Sequence, residues 1–174
     1  MDIERLKYPI GHFERPEVIS NERLQQAVEY LEEFPEILVE ACQSFDSDYL
    51  SKEYRPGGWT IAQTIHHIAD SHMNALVRFK MALTERNPEI KPYEEAEWAK
   101  LADYSLDVAP SLKLIESIHL KWTALLQGME PHDFEKCYFH PESQQMVSLK
   151  EVCLTYEWHS KHHLAHLRLP QLHQ

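Results

Sequence analysis

Tyr156-Glu157-Trp158-His159-Ser160-Lys161-His162-His163-Leu164-Ala165-His166 is the stretch from which the fold can be read. Its histidines stand at 159, 162, 163 and 166. On a helix, residues four apart share a face, about 40° apart and roughly 6 Å along the axis. Two pairs can therefore aim their imidazoles at one metal ion, His159 with His163 and His162 with His166. The apolar residues of the same helix choose between them. Leu149, Val152, Tyr156 and Leu167 form one face, and His159 and His163 fall within it. His162 points about 100° away from that stripe and is expected to be wet, while His166 sits at its edge. One inward histidine is ordinarily a hydrogen-bonded core residue. Two at ligand spacing on one apolar face need two sets of partners, a demand that a metal ion meets at once.

Working outward, the helix that carries this pair opens at Ser148, with Glu151 three residues on as the second half of a capping box. Before it, residues 130–147 read as loop with a small hairpin around His140-Pro141-Glu142-Ser143. A third helix starts at Pro110 and stops near Gly128, with Leu112, Ile115, Ile118, Trp122, Leu125 and Met129 inward. A second helix is capped by Thr60 with Gln63 and runs to about 84 on Ile61, Ile65, Ile68, His72, Leu76, Phe79 and Leu83. Between these two, residues 85–108 form a long connection, with a short helix expected over 94–102. A first helix spans about 20–43, and Pro35 inside it predicts a kink or break. Residues 1–19 read as an irregular arm whose Tyr8, Ile10 and Phe13 must pack on something. Four amphipathic helices of about 20 residues with one long crossover make an all-α four-helix bundle, a fold that builds metal sites from inward side chains on facing helices.

Composition agrees. Only 4 glycines and a 43% apolar fraction, with few runs rich in Val, Ile or Thr, fit an all-helical single domain over 1–174 with the arm attached. A net charge of −11 argues against nucleic acid and anionic membrane surfaces as partners. Cys42, Cys137 and Cys153 are odd in number and far apart, which fits a reduced cytoplasmic setting and small buried residues rather than nucleophiles. The N-terminus shows no basic-then-apolar signal, and no apolar run is long enough to span a bilayer.

A catalytic metal needs a third ligand, and the second helix offers His66, His67 and His72. Periodicity favours His72, puts His67 towards one flank and turns His66 outward; spacing alone does not choose. Tyr8-Pro9-Ile10-Gly11, the run Tyr54-Arg55-Pro56-Gly57-Gly58-Trp59-Thr60, His66-His67-Ile68-Ala69-Asp70-Ser71-His72-Met73-Asn74 with Arg78-Phe79-Lys80, Lys91-Pro92-Tyr93 and the cluster over 158–166 resemble the YfiT branch of the DinB-like superfamily. The resemblance covers nearly the whole chain in order. It implies an up-down-down-up bundle, often a homodimer, that holds one divalent metal by three histidines. Its first ligand lies eight residues after the Trp that opens helix two, which is His67 here. The other two are His159 and His163. Wider DinB-like proteins often follow the last ligand with Arg-Gly-Gln; here Leu164-Ala165-His166 follows, so substrates of other branches transfer poorly.

The resemblance implies a metal-dependent hydrolase, or a transferase that joins a low-molecular-weight thiol such as bacillithiol to an electrophile. Three imidazoles around zinc or nickel leave a position open for water or thiol. Hydrolysis normally wants a carboxylate beside the bound water, and none stands between His159 and His163 at that spacing. Asp70 and Glu157 read as solvated charges or ligand orienters, which tilts the chemistry towards thiol transfer. His72 and His166 are candidates to orient a ligand, and Arg55 to hold a substrate carboxylate. The other class of function is a non-catalytic binding module, whose metal staples helices two and four with His72 or His166 as fourth ligand.

Overall fold

The computed structural model describes residues 3–173. Seven α-helices follow in order: α1 (Ile3–Lys7), α2 (Asn21–Cys42), α3 (Ser47–Leu50), α4 (Ile61–Thr84), α5 (Glu95–Trp98), α6 (Ala109–Gln127) and α7 (Leu149–Arg168). A hairpin of β1 (Cys137–His140) and β2 (Gln145–Ser148) joins α6 to α7, pairing Tyr138 with Val147 and Phe139 with Met146.

The helices begin where their caps demand. Ser20 Oγ accepts from the Arg23 amide. Thr60 and Gln63 form a reciprocal box, each side chain bonded to the other's main-chain N–H. At α7 only half of the expected box forms. Ser148 accepts from the Glu151 amide, but the Glu151 carboxylate pairs with Arg15 at 2.7 Å, because the N-terminal arm comes across the start of the helix. Pro35 does not break α2, which runs on from Asn21 to Cys42. The arm is not wholly irregular, since α1 forms within it, and the helix expected over 94–102 shrinks to α5 followed by a 3₁₀ turn at Ala102–Ser105.

α2 packs on α6 and α7, and α4 packs on the same two, so α2 and α4 stand on a diagonal. Contacts fix the directions. His66 meets Ser111 and His72 meets His119, so α4 and α6 run parallel. Ser71 meets Tyr156 while His67 meets His159, so α4 and α7 run antiparallel. The order is up-down-down-up, and parallel neighbours α4 and α6 require the long crossover over 85–108. Two apolar clusters fill the bundle. One gathers Leu31, Phe79, Trp122, Leu149 and Val152; the other gathers Phe34, Leu38, Ile61, Ile65, Ile68, Ile115 and Leu167. Each such fully buried side chain contributes about 1.5–3 kcal/mol. No helix among the described residues is long and apolar enough to cross a membrane.

Candidate metal centre

Between the two clusters, α4 and α7 face each other with histidines. α4 carries His67 and α7 carries His159 and His163, and one ring nitrogen from each lies within 4.8 Å of the other two. Nε2 of His159 stands 3.3 Å from Nε2 of His67. Ring centroids are 5.4 Å apart for His67 and His159, 4.9 Å for His67 and His163, and 4.4 Å for His159 and His163. The approach to His67 is shaped by the turn before α4. Gly57 adopts φ +67, and a Cβ on Gly58 would sit 2.8 Å from Arg55 Cγ, so the turn brings Trp59 down until its ring meets His67 at 4.7 Å.

Burial holds all three rings neutral. His67 is lowered to about 4, first by desolvation and then by the His162 ring. His159 and His163 are pushed well below 6.5 by desolvation first, then by neighbouring imidazoles. Neutral imidazole keeps the lone pair that a cation needs. His67 Nδ1 is moreover buried without a hydrogen-bond partner. Three neutral, closely spaced nitrogen donors with one polar atom left over fit a divalent cation better than a self-contained core network.

The remaining candidates separate clearly. His72 Nε2 lies 3.2 Å from His159 Nδ1, and its own Nδ1 lies 2.7 Å from His119 Nε2. His166 is 2% exposed rather than at the rim; its Nε2 meets the Lys7 carbonyl at 3.0 Å and its Nδ1 meets His163 Nδ1 at 3.3 Å. His162, His163 and His166 form a second close group. It shares His163, and both nitrogens of His166 are already engaged. His162 is buried, not wet: Trp158 stacks on it at 4.5 Å, Tyr8 stands 5.8 Å off, and the Trp158 indole bonds to Gly11 O, so the arm roofs this face of α7. His66 is buried too, bonded to Ser111 Oγ at 2.7 Å beneath the crossover.

Neither carboxylate candidate is a free solvated charge. Glu157 is 5% exposed and paired with Arg23 and, at 2.7 Å, with Lys161. Asp70 accepts the Tyr104 phenol at 2.8 Å. Arg55 lies over Tyr54 and bonds its phenol at 3.2 Å, and the Tyr54 ring in turn stacks on His166 at 4.0 Å. The arginine thus stands two rings away from the triad. His119, on the inward face of α6 between Ile115 and Trp122, was within reach of the same periodicity that picked its neighbours.

A cavity of about 430 Å³ adjoins the triad, lined by His159, Ser71, Tyr156, Tyr93, Arg78 and His140 among others. Tyr93 Oη and His140 Nδ1 are buried there without hydrogen-bond partners of ordinary geometry. Arg78 gives one N–H to the Lys91 carbonyl at 3.3 Å, and its charge acts on Tyr156, Tyr138 and Glu95 around the cavity. Burial raises Cys42 to about 12 and pushes the Cys153 and Cys137 thiols up, so none is a ready thiolate.

The family model described as "DinB superfamily" matches residues 30–167. A curated relative from Oceanobacillus iheyensis, named "Putative metal-dependent hydrolase", is 46% identical over 161 residues, covering 92% of this chain and 93% of its own. One from Bacillus mycoides with the same name is 44% identical over 162 residues, 93% of each chain. The solved structure of YfiT from Bacillus subtilis, described as "a probable metal-dependent hydrolase with an unusual four-helix bundle topology", matches with a TM-score of 0.93 at 40% identity, over 97% of this chain and 98% of that one.

Proposed function

This chain belongs to the DinB superfamily, and we propose from that premise that it is a metal-dependent enzyme acting on small molecules, with His67, His159 and His163 as the ligands of one divalent ion. The observation that carries the reading is the convergence of three neutral imidazoles from two antiparallel helices within 4.8 Å, beside a cavity of about 430 Å³. Zinc is the ion we assign; nickel suits the same donors. A divalent ion held there acts as a Lewis acid that favours the deprotonated form of water or of a thiol.

Of the two chemistries, transfer of a low-molecular-weight thiol such as bacillithiol to an electrophile is the one we favour. Hydrolysis is the second reading, supported by the names of the relatives. The choice rests on the carboxylates: Glu157 is held by Arg23 and Lys161 and Asp70 by Tyr104, so neither is poised as a general base for water. A thiol needs no such base once its proton has left to solvent; the sulfur–carbon bond then forms as the electrophile's leaving group departs. Arg78, with N–H donors to spare, suits an acidic group on the substrate, and Tyr93 Oη offers a further polar contact. The alternative of a closed, merely stapling site would need His72 or His166 as a fourth ligand. Both nitrogens of each already face other partners. A single domain acting in the cytoplasm as a homodimer completes the reading.

The test is zinc-loaded protein assayed with bacillithiol and a model electrophile in parallel with ester and amide substrates. Thiol conjugation that depends on zinc, and that is lost in His163→Ala, supports transfer; zinc-dependent hydrolysis without conjugation replaces it with the second reading. No zinc-dependent turnover of either kind contradicts both.

A further inference from the structure

Two buried histidines outside the candidate triad bond to it, His72 to His159 and His166 to His163, and a third, His119, stands behind His72. We propose that they are positioning residues, two imidazole chains that pin a proton on Nδ1 of His159 and of His163 and so leave Nε2 of each as a lone pair at the site. The inference rests on the triad being the metal site but concerns only this chain's own protons.

Main-chain carbonyls set the direction of both chains, because a carbonyl only accepts. His119 Nδ1 lies 2.6 Å from Leu31 O, so Nδ1 carries the proton. A neutral imidazole has one N–H, which makes His119 Nε2 an acceptor. His72 Nδ1, 2.7 Å away, must donate to it, which leaves His72 Nε2 as an acceptor. His159 Nδ1, 3.2 Å from that atom, donates in turn. His159 Nε2 is then bare, and it is the atom that faces His67. The second chain is shorter. His166 Nε2 donates to Lys7 O at 3.0 Å, so its Nδ1 accepts from His163 Nδ1 at 3.3 Å, and His163 Nε2 is left bare.

Sequence explains why the first chain has an anchor. In a regular helix Leu31 O would accept from the amide four residues on, but that residue is Pro35, which has no N–H. The proline inside α2 leaves a buried carbonyl without its helical donor, and His119 supplies one from α6. Such outer partners fix the tautomer and ring orientation of metal-binding histidines. His67 differs from the other two: no histidine chain reaches its Nδ1, which is buried with no partner, and in the metal-free chain the acceptor its proton meets is the bare Nε2 of His159, 3.3 Å from its own Nε2.

The experiment is long-range ¹⁵N–¹H NMR of the histidine rings in the full-length, metal-free protein, together with zinc titration of the wild type, His119→Phe and His119→Gln. Wild type is expected to show His159 and His163 protonated on Nδ1. In His119→Phe the His72 proton loses its acceptor, and both His72 and His159 are expected to change tautomer, with zinc affinity falling about 10–100-fold. His119→Gln keeps an acceptor for His72 and a donor for Leu31 O, and is expected to keep both the wild-type tautomer and wild-type affinity. A purely structural role for His119 would not produce that rescue with that signature. Protonation of His159 on Nε2 in the wild type overturns the proposal, as does equal loss of affinity in His119→Gln and His119→Phe. If His119→Phe does not fold, the wild-type tautomer and the glutamine variant decide alone. A δ-protonated His159 in a protein that binds no metal would instead sink the proposed function and leave this inference standing.

Discussion

Trp122 and His72 are both fully buried, and their rings meet at 6.3 Å, yet they are held there by opposite physics. Trp122 belongs to an apolar cluster with Phe79 and Leu149, where taking its ring out of water is favourable enough to outweigh one indole N–H buried without a partner. His72 belongs to a layer with His119 and His159 that separates this cluster from the one around Phe34 and Ile68. There, leaving water costs stability unless every ring nitrogen finds a partner. An aliphatic layer would fill the same space with less demand on geometry. The bundle thus gives up apolar packing at mid-height, and the chemistry of a site accounts for that choice better than the needs of folding do.

The contrast can be broken first in the apolar half. Trp122→Ala removes a large, wholly buried side chain and is expected to lower unfolding free energy by about 3–5 kcal/mol, measured by urea denaturation. The loss is expected to be the same with and without zinc if the two regions are independent. The imidazole layer, unlike the clusters, is expected to respond to pH. Burial lowers His119 to about 4 from 6.5, so the unfolded chain takes up a proton before the folded one does. Stability of the chelator-treated protein is therefore full above about 6.5 and falls as pH drops towards about 4, by about 3 kcal/mol from this ring alone. His67, displaced in the same direction and by a similar amount, adds to the loss. Flat stability across that window would show the layer to be hydrated.

The smallest effect sharpens the contrast at its edge. Thr60→Ala removes one side of the capping box at the start of α4 and is expected to cost about 1 kcal/mol, seen as a modest fall in Tm. Zinc affinity is expected to stay unchanged, because His67 lies two turns inside the helix and is held by packing on α7.

How much could be read in advance follows the same division. Caps and apolar stripes are local, so the four long helices, the crossover and the hairpin were all legible, as was the inward pair His159 and His163. Periodicity failed where a helix has no wet side. In the first half of α4, Thr64, Ile65, His66, His67, Ile68, Ala69, Ser71 and His72 are all buried, since the crossover covers the face that a simple bundle would leave to solvent. A stripe argument cannot rank three histidines under those conditions, and the choice of His67 came from the family resemblance. His162 was misplaced for a related reason: its cover, the turn after α1, lies about 150 residues away in sequence. Pro35 predicts a kink or break within α2, yet α2 runs on and the consequence lies on another helix, in the carbonyl that His119 meets.

The most direct test of the account is the metal content of untagged protein after zinc reconstitution and gel filtration, compared with His67→Ala, His159→Ala and His163→Ala. The account predicts about one ion per chain in the wild type and loss of that ion in each variant, with all three still folded. A wild type that retains no ion, or variants that retain it as well as the wild type does, would contradict it.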